Sequence, residues 1–175
     1  MDAYTVQTYV ANFLNAAQIT HLDHVYEDQP EAFGVNLAAY GSGTTRCVAF
    51  VAVQSDTDVR HSGPAADPQH GRAKGGGERE LSFTVDLTVV HVTAEDNWLE
   101  AARQLKQDVV EGIRLQIISD PSLGTWGLPR PLFPGSGEGK RGITRTYAEP
   151  YVDEVDDMRK QWAQITFRAC IYEFG

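Results

Sequence analysis

The chain has 175 residues, 42% of them hydrophobic and 22% charged, and a formal net charge of -9. That is the length of one domain able to bury a single core, and the acidic balance argues against a dedicated duplex-DNA binder, whose affinity comes from Lys and Arg on phosphates. Cys47 and Cys170 each sit in a strand-like run and read as small buried or half-buried thiols of a reducing compartment. No basic stretch precedes the first apolar residues as in a secretory signal, and no apolar run nears the ~20 residues of a membrane span, so the expectation is a cytosolic place of synthesis.

The first element expected is a helix over Tyr4–Gln18. Val6, Tyr9, Val10, Phe13, Leu14 and Ala17 recur at helical spacing, with Asp2 or Thr5 available as cap. "HLDHVYED" then predicts a short edge strand. "TTRCVAFVAVQS" (Thr44 to Ser55) is nearly all apolar, as suits a central strand covered on both faces. "ELSFTVDLTVVHVT" alternates, with Leu81, Phe83, Val85, Leu87 and Val89 on one face and Ser82, Thr84, Asp86 and Thr88 on the other. That pattern predicts a half-buried strand antiparallel to the first.

From Trp98 the period changes. Trp98, Ala102, Leu105, Val109, Ile113 and Ile117 step by three or four, widened by Leu99 and Val110, and the pattern ends near Asp120-Pro121. A residue before proline avoids helical geometry, so a helix of ~20 residues, ~30 Å long, is expected to stop there. A Gly/Pro-rich segment at about 121–142 follows, then "ITRTYAEPYV" as a strand broken by Pro150 and "DEVDDMRK" as a charged turn. The last strand places Ala163, Ile165, Phe167, Ala169 and Ile171 on one face, with Gln164, Thr166 and Arg168 on the other. Runs of strands without regular βαβ alternation predict a single α+β domain over residues 1–175: a mainly antiparallel sheet packed by the long central helix and the N-terminal helix. Trp98, Leu105, Val109, Ile113, Phe83, Val85, Ile165 and Phe167 form the expected core.

Chemistry-bearing motifs are sparse. "PGSGEGKRG" departs from a phosphate loop at Pro134 and at Arg141, where a hydroxyl would reach the metal, and no helix is expected after it. His21 and His24 could meet on a helix face, and His61 and His70 share a loop, yet neither pair has the Cys or carboxylate partners of a zinc site, so they read as solvated. His91 falls on the apolar phase of its strand and reads as a satisfied, partly buried imidazole. Asp153, Glu154, Asp156 and Asp157 cluster without EF-hand spacing, next to Arg159 and Lys160. No catalytic residues, cofactor or metal are assigned.

The order of elements is the most informative feature. An amphipathic helix leads into strands joined by an oversized loop, then a long helix, "NWLEAARQLKQDVVEGIRLQI", a Gly/Pro-rich segment and a closing strand. This layout resembles the tail terminator proteins of long-tailed bacteriophages, related in layout to minor tail and head–tail joining proteins, with Asp108, Val109, Val110, Glu111, Gly112 and Ile113 the most family-like string. The resemblance covers nearly the whole chain. It implies an α+β subunit in a hexameric ring that caps the tail tube, ends its polymerisation and meets the head connector. The partners it implies are further copies of the chain, the tail tube protein and the head–tail connector protein, in the virion and, during assembly, in the host cytoplasm. DNA would pass through the lumen without specific binding, which an acidic wall permits, and no membrane is involved. The alternatives are a head–tail adaptor or tail tube subunit of similar fold, and, in a different class, a small enzyme or ligand-binding domain with a loop lid.

The loop at about 56–79 carries Arg60, His61, His70, Arg72 and Lys74 but few apolar side chains, too few to hold one conformation alone. It reads as an arm that orders against a neighbour. Arg60, His70, Arg72 and Lys74 on one copy and Asp153, Glu154, Asp156 and Asp157 on another are the candidate interface residues.

Overall fold

In the computed structural model, the structure describes residues 2–27, 45–60, 79–93, 98–120, 122–125, 133–134, 142–149, 151–152 and 158–173. Helix α1 (Ala3–Ala16) opens the chain, capped by Asp2, whose Oδ1 accepts from the Thr5 N–H at 2.8 Å and the Thr5 hydroxyl at 2.6 Å. It ends two residues earlier than expected because Gln18, at φ 49°, has left-handed backbone.

The strands are β1 (His24–Tyr26), β2 (Thr45–Arg60), β3 (Arg79–Thr93), β4 (Phe133–Pro134), β5 (Thr144–Tyr147), β6 (Tyr151–Val152) and β7 (Arg159–Glu173). They form one seven-stranded sheet in which β1, β2, β3 and β7 are successive neighbours. The pairings of β4, β5 and β6 with β7 line its outer edge, since β3 occupies the other side along its whole length. Only β1 and β2 are parallel; the other pairings are antiparallel, and the fold is α+β.

Both helices lie on the sheet face formed by the odd-numbered residues of β3 and β7. Val6, Val10, Ala11 and Leu14 of α1 join Ala49, Val51, Phe83, Val85, Leu87, Val89, Ile165, Phe167 and Ala169 in one core. Polar side chains of α1 fasten the short β1. The Asn15 amide accepts from the Val25 N–H (2.8 Å) and donates to the Val25 carbonyl (2.9 Å), doing for that residue what a neighbouring strand would. Gln7 Nε2 donates to the carbonyls of Glu27 and Val51. Asp23 anchors the start of β2 through its N–H on the Cys47 carbonyl and its carboxylate on the Cys47 N–H, each at 2.7 Å.

The long helix is continuous from Trp98 to Ser119 but not uniform. Between α2 (Trp98–Arg103) and α3 (Glu111–Ser119), residues Gln104–Val110 wind wider, and the Glu111 N–H reaches back five residues to the Lys106 carbonyl. This changes the buried stripe to Ala101, Leu105, Val109, Val110, Ile113 and Ile117, with the wide turn bringing Val110 into the seam beside Val109. Two expectations fail here. Trp98, expected in the core, and Leu99, expected to widen the stripe, are 41% and 71% exposed, and Ala101 takes the buried position expected at Ala102, which is half-buried. Helical side chains lean toward the N-terminus, so a residue of the first turn projects past the helix end and not onto the sheet. The helix stops at Asp120, as the following proline requires; that residue is extended, at φ -123° and ψ 92°.

A third correction concerns β3, expected to be half-buried with its polar face in solvent. Ser82, Asp86 and Thr88 are buried. β2 and β7 flank the strand, and Thr166 Oγ1 (2.5 Å) and Gln164 Nε2 (3.2 Å) of β7 satisfy the Asp86 carboxylate. On that face Val48, Phe50, Val90 and Val92 form a second cluster with Tyr26 and Met158. β2 is therefore covered on both faces at its centre, as its apolar run predicts.

Candidate assembly surface

The β2–β3 pair is the longest feature of the sheet, with strands of 16 and 15 residues. Pairing runs from Thr45↔Thr93 to Arg60↔Arg79, interrupted by one bulge between Val53 and Ser55. The loop expected at about 56–79 is accordingly shorter: residues 56–60 and 79 belong to strands. The polar, β-branched sequence "SDTDVR" pairs because β3 offers a full-length partner, a tertiary gain that local composition does not display. Of the eight candidate interface residues, Arg60 marks the end of the ladder by its backbone. His70, Arg72, Lys74, Asp153, Glu154, Asp156 and Asp157, like His61 and residues 135–141 of the phosphate-loop-like string, lie outside the described residues.

The two edges of the sheet differ. On one side β7 is lined by β6, β5 and β4 in turn. On the other, among the described residues, β1 pairs with β2 at Val48–Phe50, and Gln7 meets the next carbonyl, that of Val51. From Ala52 to Arg60 no further strand runs beside β2 among the described residues.

The long helix carries a charge network that spacing alone did not reveal. Glu100 receives two hydrogen bonds from Arg103, at 2.6 and 2.9 Å, and these hold its carboxyl below the usual carboxylate range. The same Glu100 contact, then Asp108 at 3.5 Å, raises the already high Arg103 guanidinium. Asp108 also meets His21 Nδ1 at 3.0 Å. His21 and His24 do not share a helix face. His21 occupies a left-handed turn (φ 63°) after α1, and His24, in β1, meets Tyr26 edge-on with ring centroids 4.5 Å apart. The Glu100–Arg103 spacing is legible in the sequence; the His21 partnership, across 87 residues, is not. Further along, Glu111 joins Arg114 (2.6 Å) to Arg145 of β5 (2.8 Å), and the Lys106 ammonium stands 5.3 Å above the Tyr147 ring. β5 is thereby tied to the helix while all four of its residues remain exposed.

Cys47, His91 and Gln161 form a row across β2, β3 and β7, all buried at the end of the core. Burial first, and the nearby Asp23 carboxylate second, push the Cys47 thiol far up, which favours its protonated form. Cys170 lies two strands away on the opposite face. Among the described residues no group of three or more His, Cys, Asp or Glu side chains is placed to hold a metal ion.

No protein-family model and no curated protein sequence matches the chain. Among solved structures, a chain of the virion of a native gene transfer agent particle aligns at 14% sequence identity and a TM-score of 0.28, covering 98% of this chain and 92% of that one.

Proposed function

We propose that this chain is a structural virion protein that forms a ring on the phage tail tube, ends its polymerisation and joins the tail to the head connector. The observation that carries the reading is the long β2–β3 ribbon, rooted in a helix-backed sheet and opening into residues 61–78. Together with the N-terminal helix and the long helix after β3, it follows the element order that the sequence shares in layout with tail terminators. Assembly explains the molecule without a chemical step.

In this reading residues 61–78 are an arm whose Arg and His side chains order against a neighbouring subunit, the tube or the channel, with Asp153, Glu154, Asp156 and Asp157 of another copy as the acidic counterpart. The test is to replace 61–78 by a four-residue turn. Arg60 and Arg79 face each other across the ladder, so the splice joins adjacent strand ends. The purified variant is expected to keep its melting temperature, while virions made with it fail to join tails to heads or carry tails of uncontrolled length. Normal virions from the variant would refute the arm. A virion reconstruction without this chain at the head-proximal end of the tail would refute the terminator role.

A further inference from the structure

We infer that residues 28–44 cross the sheet on the face opposite both helices and cover the apolar cluster of Val48, Phe50, Val90 and Val92. This goes beyond the ring reading and does not depend on it.

β1 and β2 are neighbouring parallel strands, so the chain must leave the sheet after β1 and travel back to the starting level to enter β2. Backbone direction distinguishes the two faces it could cross. Val25 and Cys47 both turn their side chains into the helix-side core. Val25 directs its N–H and C=O to Asn15, away from β2, whereas Cys47 directs its own to Asp23, just before β1. In a strand of L-residues running upward, a side chain pointing at the viewer has its N–H and C=O on the viewer's right. Seen from the helix side with both strands upward, β1 therefore stands to the right of β2. A crossover in front of the sheet would be left-handed. Behind the sheet it is right-handed, the sense that nearly all such connections take. α1 also occupies the helix-side route, since Gln7 bonds the carbonyls of Glu27 and Val51 and Thr8 meets Glu27 Oε2 at 3.1 Å.

The far face has an apolar surface to receive the segment. Val48 and Phe50 are each 3% exposed there, although both helices lie on the other side. Strand side chains reach such burial when a second layer lies over them. Tyr26 stacks on Phe50 with ring centroids 5.6 Å apart, and Met158 packs at the margin. The cluster sits at the end of β2 that 28–44 enter, whereas 61–78 leave β2 at Arg60, about 40 Å farther along. Phe33, Val35, Leu37 and Tyr40 give the crossing segment apolar side chains to lay on it. The apolar end of this face is then satisfied within the subunit, and neighbouring copies meet other surfaces.

The test is nuclear Overhauser spectroscopy on the full chain with labelled Val and Leu methyl groups and labelled aromatic rings. Methyls of Val48, Val90 and Val92 are expected to give cross-peaks to Phe33, Val35, Leu37 or Tyr40. Cross-peaks from those four residues to Tyr9 or Phe13 of α1 instead would overturn the inference, because the crossover would be on the helix side. Contacts from the cluster to 61–78 or 153–157 in their place would also overturn it, as would contacts found only between differently labelled copies. So would a cluster that touches nothing beyond Tyr26, Phe50 and Met158. As a second readout, Phe50→Ala should speed native-state chymotrypsin cleavage at Phe33, Leu37 or Tyr40 by at least about tenfold over helix-side Leu14→Ala at matched global stability. Equal rates in the two variants would count against the inference.

Discussion

Gly112 lies in α3, where a side chain would ordinarily be favoured, and the structure gives a reason for its absence. A Cβ placed there would stand 2.7 Å from Ile19 Cγ2. Normal carbon–carbon contact is about 3.5–4.0 Å, so Gly112→Ala creates an overlap of about 1 Å with the segment linking α1 to β1. Alanine gains about 1 kcal/mol over glycine in a helix interior. Overpacking costs about 1–3 kcal/mol, because the β-branched Ile19 has few rotamers to retreat into. The expected net result is a loss of about 1 kcal/mol, or about 2–4 °C in melting temperature for a domain of this size. With Ile19→Ala already in place the clash is gone, and Gly112→Ala should instead stabilise by about 1 kcal/mol. The coupling across the double-mutant cycle is therefore about 2 kcal/mol. Urea unfolding of the four proteins, analysed for midpoint and slope, measures it. If Gly112→Ala has the same effect in both backgrounds, the close approach of Ile19 does not explain the glycine.

Three further outcomes follow from burial and hydrogen bonding. Leu105→Ala and Phe167→Ala, at core positions 2% and 3% exposed, should each cost about 2–5 kcal/mol in chemical denaturation; Trp98→Ala, at an exposed site, should cost less than about 1 kcal/mol. Asp120 accepts from the Ser122 hydroxyl and N–H and from the Gly124 N–H, and the Ser122 hydroxyl leads in lowering its pKa. A carboxyl lowered in the folded state contributes stability that is present above its ordinary pKa, 3.8, and is lost as pH falls through the lower folded value. Asp120→Ala should lose about 1–2 kcal/mol at neutral pH and show a flatter acid limb than the parent, a difference readable by thermal denaturation between pH 2 and 6; parallel acid limbs would count against it. Asp2→Ala removes the α1 cap and should lower the melting temperature, with Asp2→Asn or Asp2→Ser recovering most of the loss; equal losses in all three would show that the Thr5 contacts do not set the helix start.

Much of the architecture is written locally. The alternation of β3 and β7, the apolar run at the centre of β2, the cap at Asp2 and the stop before Pro121 each depend on near neighbours, so the sequence alone predicts those elements and an α+β layout. Three things depended on the assembled fold. β2 extends to Arg60 because a full-length β3 lies beside it, although "SDTDVR" has little apolar content. The helix winds wider at Gln104–Val110 and its first turn leaves Trp98 and Leu99 exposed; single-period counting treats every turn as equal and registers neither. The partnership of His21 with Asp108 arises from segments far apart in the chain. Local spacing determines which residues can be helix or strand. Only packing decides where a helix turn widens and which polar groups are satisfied.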